Sequence, residues 1–346
     1  MAIVFDGPVT PDALTVFTRN VPSPQEFSLS DLLPDRFFDR NTIDIAEITR
    51  TNRTARFRAF DGRLHVSERD TGLTKQVKLP PLSTSLSTGE LERLQLEFAR
   101  AGGGSPQAIT NAVYNDAQNL TREVQARMEQ ARGDVLTDGK FTLAGEGGLF
   151  MEADYGVPGN HIVAPGTLWT TTATATIIAN ESAWVDTYVA TNGFAPGGQM
   201  VSRRVLNLML QNTELRSLAA SLSGVPSLIT RASVDAALAA FSLPPIIKVY
   251  DTVVDVDGAS TRTIPDDRVV FVPPNIADLG YTAWGVSATA LELINSSAVD
   301  LSFEEAAGIV GVVEKIGPPY REFVFVDAVG MPVLSNAKLL MVADVA

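Results

Sequence analysis

The chain has 346 residues, 45% of them hydrophobic, with no Cys, two His and a formal charge of −13 from 27 basic and 40 acidic residues. Without thiols it forms no disulfide framework, thiolate zinc site or Cys nucleophile, and two imidazoles argue against a multi-His metal centre. The apolar content excludes a disordered protein, and the length predicts two or three domains.

The N-terminal sequence MAIVFDGPVT lacks the basic start and apolar core of a secretory signal. No apolar stretch approaches the ~18 residues that a membrane span needs. We therefore expect a soluble protein that is made inside the cell.

Charge is unevenly distributed along the chain. Residues 1–140 hold 17 basic and 19 acidic residues, a net of −2, whereas residues 141–346 hold 10 and 21, a net of −11. Between residues 50 and 78, eight basic residues face three acidic ones, a net of +5. Such a segment binds either nucleic acid or the acidic surface of another copy of the chain, and the acidic balance of the whole chain disfavours nucleic acid.

Residues 1–50 are punctuated by five prolines, which predicts an irregular arm that lies on other structure. Residues 53–80 alternate in polarity around turn signals at Asp61-Gly62 and Asp70-Thr71-Gly72, which predicts a two-stranded ribbon rich in Arg. An isolated ribbon is marginally stable in water, so this one is expected to rest on a neighbour; an ordinary hairpin inside a sheet is the alternative.

Residues 87–100 predict a short helix, which ends before a break at Gly102, Gly103 and Gly104. Because no Lys-Ser/Thr follows and the GxGxxG spacing is absent, we interpret the glycine triplet as a flexible joint and not as a phosphate loop.

The clearest predicted element is a helix over Pro106–Arg132. Ser105 is a good N-cap, and apolar residues recur at steps of three and four until Gly133, which is predicted to end the helix. We expect this helix, roughly 40 Å long at ~1.5 Å per residue, to pack across a sheet.

Strand-like pieces around a turn at Thr137-Asp138-Gly139 follow the long helix. From about residue 177 a zone of mixed composition predicts helices near 183–191, 202–212 and 233–241, then strands around a turn at Asp257-Gly258. The chain ends in further strands, which are expected to complete a sheet begun earlier. This order indicates an α/β or α+β fold with an inserted domain.

No set of residues forms a recognisable catalytic or metal-binding motif, so the sequence favours a non-catalytic role. The two histidines lack Ser or acidic partners at a known spacing, and three tryptophans are typical of core or interface positions. An incomplete calcium-loop pattern is better interpreted as a turn, and two adjacent acidic pairs are typical of solvated carboxylates. These residues are His65 and His161; Trp169, Trp184 and Trp284; Asp255-Val256-Asp257-Gly258; Asp266-Asp267 and Glu304-Glu305.

The order of these parts resembles the major capsid proteins of tailed bacteriophages, specifically the capsid protein E family of lambda-like phages. The resemblance covers nearly the whole chain. The segments that carry it are VKLPPLSTSLSTGELERLQ, the helix from Ser105 to Arg132 with VLTDGKFTL after it, LPPIIKVYDTVV, IPDDRVVFVPP with LGYTAWG, and PPYREFVFVDAVGMPVLSNAKLLMVADV.

The resemblance implies an α+β fold of the HK97 capsid type. Its parts would be an N-terminal arm (1–50), an extended loop (51–90), a peripheral domain (91–176 and 312–346) with the spine helix at 106–132, and an inserted axial domain (177–311). Many copies would form the hexamers and pentamers of an icosahedral virion shell around double-stranded DNA, without sequence-specific binding, after assembly in the host cytoplasm.

The same resemblance implies a separate scaffold protein, a portal, and no cofactor or metal; a decoration protein is left open. The extended loop would contact a neighbouring acidic subunit, with the glycines at 102–104 as a hinge. The expected contact residues are Arg53, Arg56, Arg58, Arg63, Arg69, Lys75 and Lys78.

Two other functions compete with the virion shell. The first is an encapsulin-type compartment, which would keep the fold and enclose a cargo enzyme. The second is a hydrolase that uses a carboxylate pair such as Asp266 or Glu304, which the missing motifs disfavour.

Overall fold

A computed structural model describes residues 9–47, 73–89, 107–220, 228–295, 307–316 and 321–346, together with Leu91, Leu94, Phe98 and Pro226. The helices of these parts are α1 Pro11–Asn20, α2 Gln107–Asp138, α3 Ile177–Asn192, α4 Arg203–Gln211, α5 Thr213–Leu218, α6 Arg231–Ala240 and α7 Ala288–Asn295.

The strands outnumber the helices and are mostly short. They are β1 Asp35–Phe37, β2 Thr42–Glu47, β3 Leu73–Lys78, β4 Pro81–Thr88, β5 Lys140–Glu146, β6 Leu149–Asp154, β7 Ile162–Val163, β8 Gly198–Val201, β9 Ile246–Val249, β10 Val253–Val256, β11 Ala259–Arg262, β12 Arg268–Val272, β13 Gly280–Trp284, β14 Val310–Ile316, β15 Arg321–Leu334 and β16 Met341–Asp344.

The first sheet is organised around β15, the longest strand. The first part of β15 lies between β14 and β4, both antiparallel to it, and its last five residues pair with β13, which in turn pairs with β1. Helix α2 packs against β15 and β4, so the long helix crosses this sheet as predicted. The late strand β15 therefore belongs to a sheet that also contains β1 and β4, more than 200 residues earlier in the chain.

The second sheet has the strand order β7-β16-β12-β8-β9. Its core contains Trp169, Tyr188 and Phe271, with apolar side chains from α3, α4, α5 and α6 packed around them. The turn predicted at Asp257-Gly258 is confirmed, since both residues have positive φ, 52° and 82°, and join β10 to its antiparallel partner β11.

The chain passes between the two sheets more than once. Strand β13 lies in the range 177–311 and pairs with β15, whereas β16 lies in the range 312–346 and pairs with β12. The predicted division into peripheral and axial domains at those boundaries stays a prediction.

Helix α2 confirms the predicted apolar stripe but not the predicted end. Leu120, Val124 and Met128 are buried, yet the helix continues past Gly133 to Asp138. The helix is followed by Gly139, whose φ of +72° is the left-handed conformation typical of a residue that follows a helix. The prediction that Gly133 ends the helix is therefore wrong, and the residues before Gly139 that were predicted as a strand are helical.

Gly133 has a packing role instead. A Cβ atom built at this position would lie 2.0 Å from the carbonyl oxygen of Thr263, so only glycine permits the backbone of α2 to approach so closely. A glycine in a helical pattern can mark either the end of the helix or a point where another backbone approaches the helix closely. The sequence alone does not distinguish these two roles.

The prediction of an irregular N-terminal arm is also wrong in part. Helix α1 begins at Pro11, after the N-cap Thr10, and packs against β14 and α2. The rings of Phe17 and Tyr114 meet edge to face, with 4.7 Å between their centroids. The Thr15 hydroxyl donates to the carbonyl of Gly311 at 3.3 Å. The arm therefore lies on other structure, as expected, but as a helix.

The remaining predicted helices agree more closely with the structure. The predictions at 183–191, 202–212 and 233–241 correspond to α3, α4 and α6. The helix predicted over 87–100 begins later, because β4 continues to Thr88; Leu91, Leu94 and Phe98 are helical. No helix among the described residues is long and apolar enough to span a membrane.

Replacement of Gly133 by Ala tests the close contact between α2 and Thr263. Ala is the better helix former by about 1 kcal/mol, but here its methyl group meets backbone, so we expect a loss of about 1–3 kcal/mol in unfolding free energy. Denaturant unfolding measures the change. The control is Gly166→Ala, where a Cβ meets no atom within 4 Å. A more stable Gly133→Ala variant would show that the contact is not real.

Because Glu181 of α3 is buried, the folding stability of the chain is expected to depend on pH. Burial raises the pKa of Glu181 from 4.5 to about 8, despite a hydrogen bond from Gln199 Nε2 at 3.2 Å. Between these two pKa values the folded chain holds a proton that the unfolded chain has lost, so stability falls as the pH rises through this window and levels off above it.

Glu181→Gln removes this titration. We expect the melting temperature of the variant to exceed that of the wild type by more at pH 8.5 than at pH 5.5, measured by calorimetry. Glu26→Gln, at an exposed position, is the matched control and should show no such trend. A gain from Glu181→Gln that is equal at both pH values would contradict the prediction.

Candidate assembly site

The two strands that flank most of the predicted extended loop, β2 and β3, form a two-stranded ribbon. These strands pair antiparallel over six residue pairs, from Thr42↔Lys78 to Glu47↔Leu73, and have no other strand partner among the described residues. The opposed pair Ile43 and Val77 is buried at the end of the ribbon that meets the body. The predicted second strand of the ribbon is confirmed as β3, but its partner β2 lies in the range predicted as the arm. The predicted first strand, from residue 53 onward, lies outside the described residues.

A reciprocal hydrogen-bonded clamp fixes the base of the ribbon. Asn41 Nδ2 donates to the carbonyl of Val286 at 2.7 Å, and the Val286 N–H donates to Asn41 Oδ1 at 2.8 Å. Next to this clamp, a Cβ on Gly285 would lie 2.4 Å from Asn41 Oδ1, so glycine permits the approach. The clamp holds the ribbon base against the loop between β13 and α7.

Two of the predicted contact residues lie in the described part of the ribbon. Lys75 and Lys78 are in β3, and the Lys78 side chain is exposed. The others lie outside the described residues, as do the predicted hinge glycines: Arg53, Arg56, Arg58, Arg63 and Arg69, and Gly102, Gly103 and Gly104. Their roles stay predictions.

A buried polar network, which the sequence did not predict, lies beneath the arm. Glu129 and Arg132 of α2 have side chains that are 0% and 7% exposed, and Arg132 Nη1 donates to Glu129 Oε2 at 3.3 Å. Glu129 Oε1 also accepts from the Leu29 N–H at 2.9 Å and from the Tyr250 hydroxyl at 2.8 Å. The carboxylate thus joins the spine helix to the arm and to the segment after β9.

Arg132 extends this network to the first sheet. Its Nη2 donates to Asp35 Oδ1 at 2.6 Å and its Nε to Thr282 Oγ1 at 2.8 Å. The Trp284 indole N–H donates to the same Asp35 oxygen at 2.9 Å. Because both buried charges are paired and hydrogen-bonded, the desolvation penalty of each is offset, and the arm, α2 and β13 are fixed relative to one another.

Burial, and then the neighbouring charge of Glu129, raises the pKa of Tyr250 above its usual value. The phenol therefore stays protonated and donates to Glu129 at neutral pH. Thr263 in turn donates to the phenol oxygen at 2.9 Å. The network consequently reaches the loop against which Gly133 packs.

The residues considered for catalysis have structural partners. His161 is buried between the Leu340 carbonyl and the Thr191 hydroxyl, each at 3.0 Å, and burial lowers the pKa of the imidazole, which favours its neutral form. Asp266 pairs with Arg204 at 3.0 Å, and Asp267 pairs with Arg268 at 2.9 Å.

The calcium-loop pattern and the tryptophans also have structural roles in the part of the chain that is described. The Asp255 carboxylate accepts a hydrogen bond from the Gly258 N–H at 2.7 Å, so this segment forms a turn, as predicted. All three tryptophans are buried. His65, Glu304 and Glu305 lie outside the described residues. In the part of the chain that the structure describes, no group of three or more His, Cys, Asp or Glu is arranged to hold a metal.

Large apolar side chains that face solvent are spread over several elements. Phe37 of β1 is 64% exposed, Phe150 of β6 is 80% exposed, and Leu91 and Phe98 are each 70% exposed. Exposed apolar residues that are scattered singly over a surface are ordinary, so these side chains alone do not define a contact surface. The described part of the chain therefore combines a body fixed by a buried polar network with a two-stranded ribbon base.

Comparison with known proteins agrees with this arrangement. The family model for phage major capsid protein E matches residues 10–294, more than four fifths of the chain. The chain belongs to this family. It is a major capsid protein that forms a phage shell, and the predicted resemblance is confirmed. No curated protein matches the sequence.

Solved structures show the fold. The putative capsid protein of a prophage of E. coli CFT073 has a TM-score of 0.64 at 16% identity, with 98% of this chain and 99% of that chain covered. A phage-related protein from Bordetella bronchiseptica RB50 has a TM-score of 0.53 at 14% identity, with 99% of this chain and 98% of that chain covered. The predicted α+β capsid fold of the HK97 type is therefore confirmed.

An encapsulin complex from Synechococcus elongatus PCC 7942 is more distant. Its TM-score is 0.44 at 11% identity, with 94% of this chain and 90% of that chain covered.

Glu129→Ala tests whether the buried network holds the capsid subunit together. The substitution removes the acceptor of three hydrogen bonds and leaves Arg132 buried with Asp35 as its one carboxylate partner. We expect a loss of about 3–5 kcal/mol in unfolding free energy of the unassembled subunit.

The control is Glu123→Ala on the exposed side of the same helix, where the carboxylate accepts a surface hydrogen bond from Thr84. Its expected cost is below about 1 kcal/mol. Equal losses for the two variants, measured by denaturant unfolding, would mean that the network has no special role.

Proposed function

We propose that the capsid protein assembles into hexamers and pentamers of an icosahedral shell around double-stranded DNA, and that its extended loop binds a neighbouring subunit in that shell. The observation that supports this proposal is the ribbon of β2 and β3, which is held to the body by the Asn41 clamp and has no other strand partner among the described residues. The loop between these strands holds most of the basic island.

The distribution of charge along the chain supports the proposal that the loop binds a second copy of the same chain. The island between residues 50 and 78 has a net charge of +5, and residues 141–346 have a net charge of −11. Opposite charges on two surfaces of one chain attract copies to one another and set their orientation. Contacts of this kind repeat from copy to copy and close into rings.

The acidic body also suits a container for DNA. A wall that repels phosphate mildly lets the genome pack against it without tight, sequence-specific binding. We propose that a separate scaffold protein and a portal take part in assembly in the host cytoplasm, that the glycine joint at 102–104 lets the loop change its angle, and that the protein has no enzymatic activity.

The encapsulin-type compartment differs from this proposal in its contents, and no feature of the described residues favours it. Purified native particles distinguish the two, because a virion shell contains double-stranded DNA whereas a compartment contains an enzyme.

The double variant Arg56→Glu with Arg58→Glu tests the role of the loop. Reversal of two charges replaces attraction to an acidic neighbour by repulsion, so we expect no shells by electron microscopy and a folded subunit by circular dichroism. The matched control is Arg122→Glu with Arg203→Glu, at two exposed positions of the body. Normal particles from the loop variant would refute the proposed contact.

A further inference from the structure

The second core contains a carboxyl group and a side-chain amide that are in contact and shielded from solvent. Glu181 of α3 and Gln199 of β8 are both 0% exposed, and Gln199 Nε2 donates to Glu181 Oε2 at 3.2 Å. Gln199 Nε2 also donates to the Pro244 carbonyl at 3.0 Å, which fixes which end of the amide is the donor and uses both of its protons. The two side chains thus join helix α3 to the second sheet.

The other oxygen of each side chain has no donor. Glu181 Oε1 and Gln199 Oε1 are buried, and neither accepts a hydrogen bond from a described residue. The indole N–H of Trp169, which lies in the same core, donates to neither oxygen. A buried acceptor without a donor costs about 1–3 kcal/mol, so two of them on one hydrogen-bonded pair of side chains require a common explanation.

A proton on Glu181 Oε1 supplies the missing donor. A protonated carboxyl group has one O–H donor and keeps an acceptor oxygen, and a primary amide offers the matching acceptor and donor. The two planar groups then share two hydrogen bonds: the observed bond from Gln199 Nε2 to Glu181 Oε2, and a second bond from Glu181 Oε1 to Gln199 Oε1. An ionised carboxylate cannot form the second bond, because both Oε1 atoms are then acceptors.

The surroundings of Glu181 favour the neutral acid. Burial raises the pKa of this carboxyl group to about 8, and Gln199 is the one side chain that bonds to it in the described parts of the chain. Strand β8 has no ionisable side chain.

The titratable and charged groups on the elements around Glu181 have partners of their own or are exposed to solvent. They are Asp186 and Tyr188 of α3, His161, Arg203 and Arg204 of α4, Glu214 and Arg216 of α5, Arg231 and Asp235 of α6, Lys248 of β9, Arg268 of β12, Lys338, and Asp344 of β16.

We propose that Glu181 and Gln199 form a carboxylic acid–amide pair that holds one proton and makes the contact between α3 and β8 dependent on pH. With the proton in place, two hydrogen bonds fasten the helix to the sheet. When the carboxyl group loses the proton, the second bond is replaced by the repulsion of two acceptor oxygens, and a charge without a cationic partner remains in the core. The inference concerns the single subunit and does not rest on the proposed shell.

The position of the pair connects it to the aromatic side chains of the second core. Trp184 lies one turn after Glu181 on α3, stacks on Trp169 with 5.9 Å between the ring centroids, and meets Phe271 edge to face at 6.2 Å. Phe271 of β12 is the register partner of Gln199 in β8. A change in the α3–β8 contact is therefore expected to alter the packing of the two tryptophans.

Infrared spectroscopy of the unassembled full-length subunit tests the pair. At pH 6 most other carboxyl groups are ionised, so we expect one C=O band of a hydrogen-bonded carboxylic acid, which Glu181→Gln removes. In the wild type this band should disappear as the pH rises through about 8. The matched control is Glu214→Gln, because the Glu214 carboxylate accepts from the Ile178 N–H on the same helix; it should leave the band unchanged.

Gln199→Met tests the second hydrogen bond. Methionine has a similar length but cannot replace the amide as acceptor of the acid O–H, so the band should move to a higher frequency. An unchanged frequency would show that Glu181 is neutral but is not paired with Gln199. A wild-type spectrum without an acid band at pH 6 would show that Glu181 is ionised. Either result overturns the proposal.

A structure of the wild-type chain at pH 6 and at pH 9.5 gives a measurement that needs no variant. The distance between Glu181 Oε1 and Gln199 Oε1 should be about 2.5–3.0 Å at pH 6, the range of an O–H···O bond, and should lengthen at pH 9.5. Near-ultraviolet circular dichroism of the tryptophans should change over the same interval in the wild type but not in Glu181→Gln. A water molecule between the two oxygens, or an equal separation at both pH values, would refute the pair.

Discussion

The architecture depends on one buried ion pair whose two side chains are hydrogen-bonded to several distant segments of the chain. Glu129 and Arg132, one turn apart on α2, are nearly inaccessible to solvent and bind the arm, the segment after β9, and β1 and β13. A buried charge is tolerated only when partners replace its water, so any displacement of these segments leaves a charge uncompensated. Segments that lie up to 250 residues apart are thereby held at one point.

Because the network holds these segments together, the exposed parts of the subunit are attached to a body whose segments keep fixed relative positions. The Asn41 clamp holds the base of the β2–β3 ribbon against the loop between β13 and α7. The proposed contact between the basic loop of one copy and the acidic body of the next is of the heterologous, head-to-tail kind.

The sequence predicted elements whose signal is local. The stripe of α2 and the Asp257-Gly258 turn follow directly from periodicity and turn chemistry. Gly133 was misjudged because its meaning depends on Thr263, 130 residues away. Helix α1 was missed because two of its buried positions are Thr15 and Thr18, which do not give an apolar stripe.

The buried network was beyond prediction from sequence for a related reason. On a helix, Glu129 and Arg132 have the spacing of an ordinary solvated ion pair, and only the fold brings Leu29, Tyr250 and Asp35 to them. The family, by contrast, was accessible because the order of many weak signals along the chain is itself specific.

The central claim is that copies of this chain hold one another through the extended loop. Cryo-electron microscopy of particles assembled from the purified wild-type chain tests it most directly. We expect closed shells in which residues 48–72 of each subunit lie against an adjacent subunit. A stable monomer or dimer, or a shell in which each loop folds back onto its own subunit, would contradict the claim.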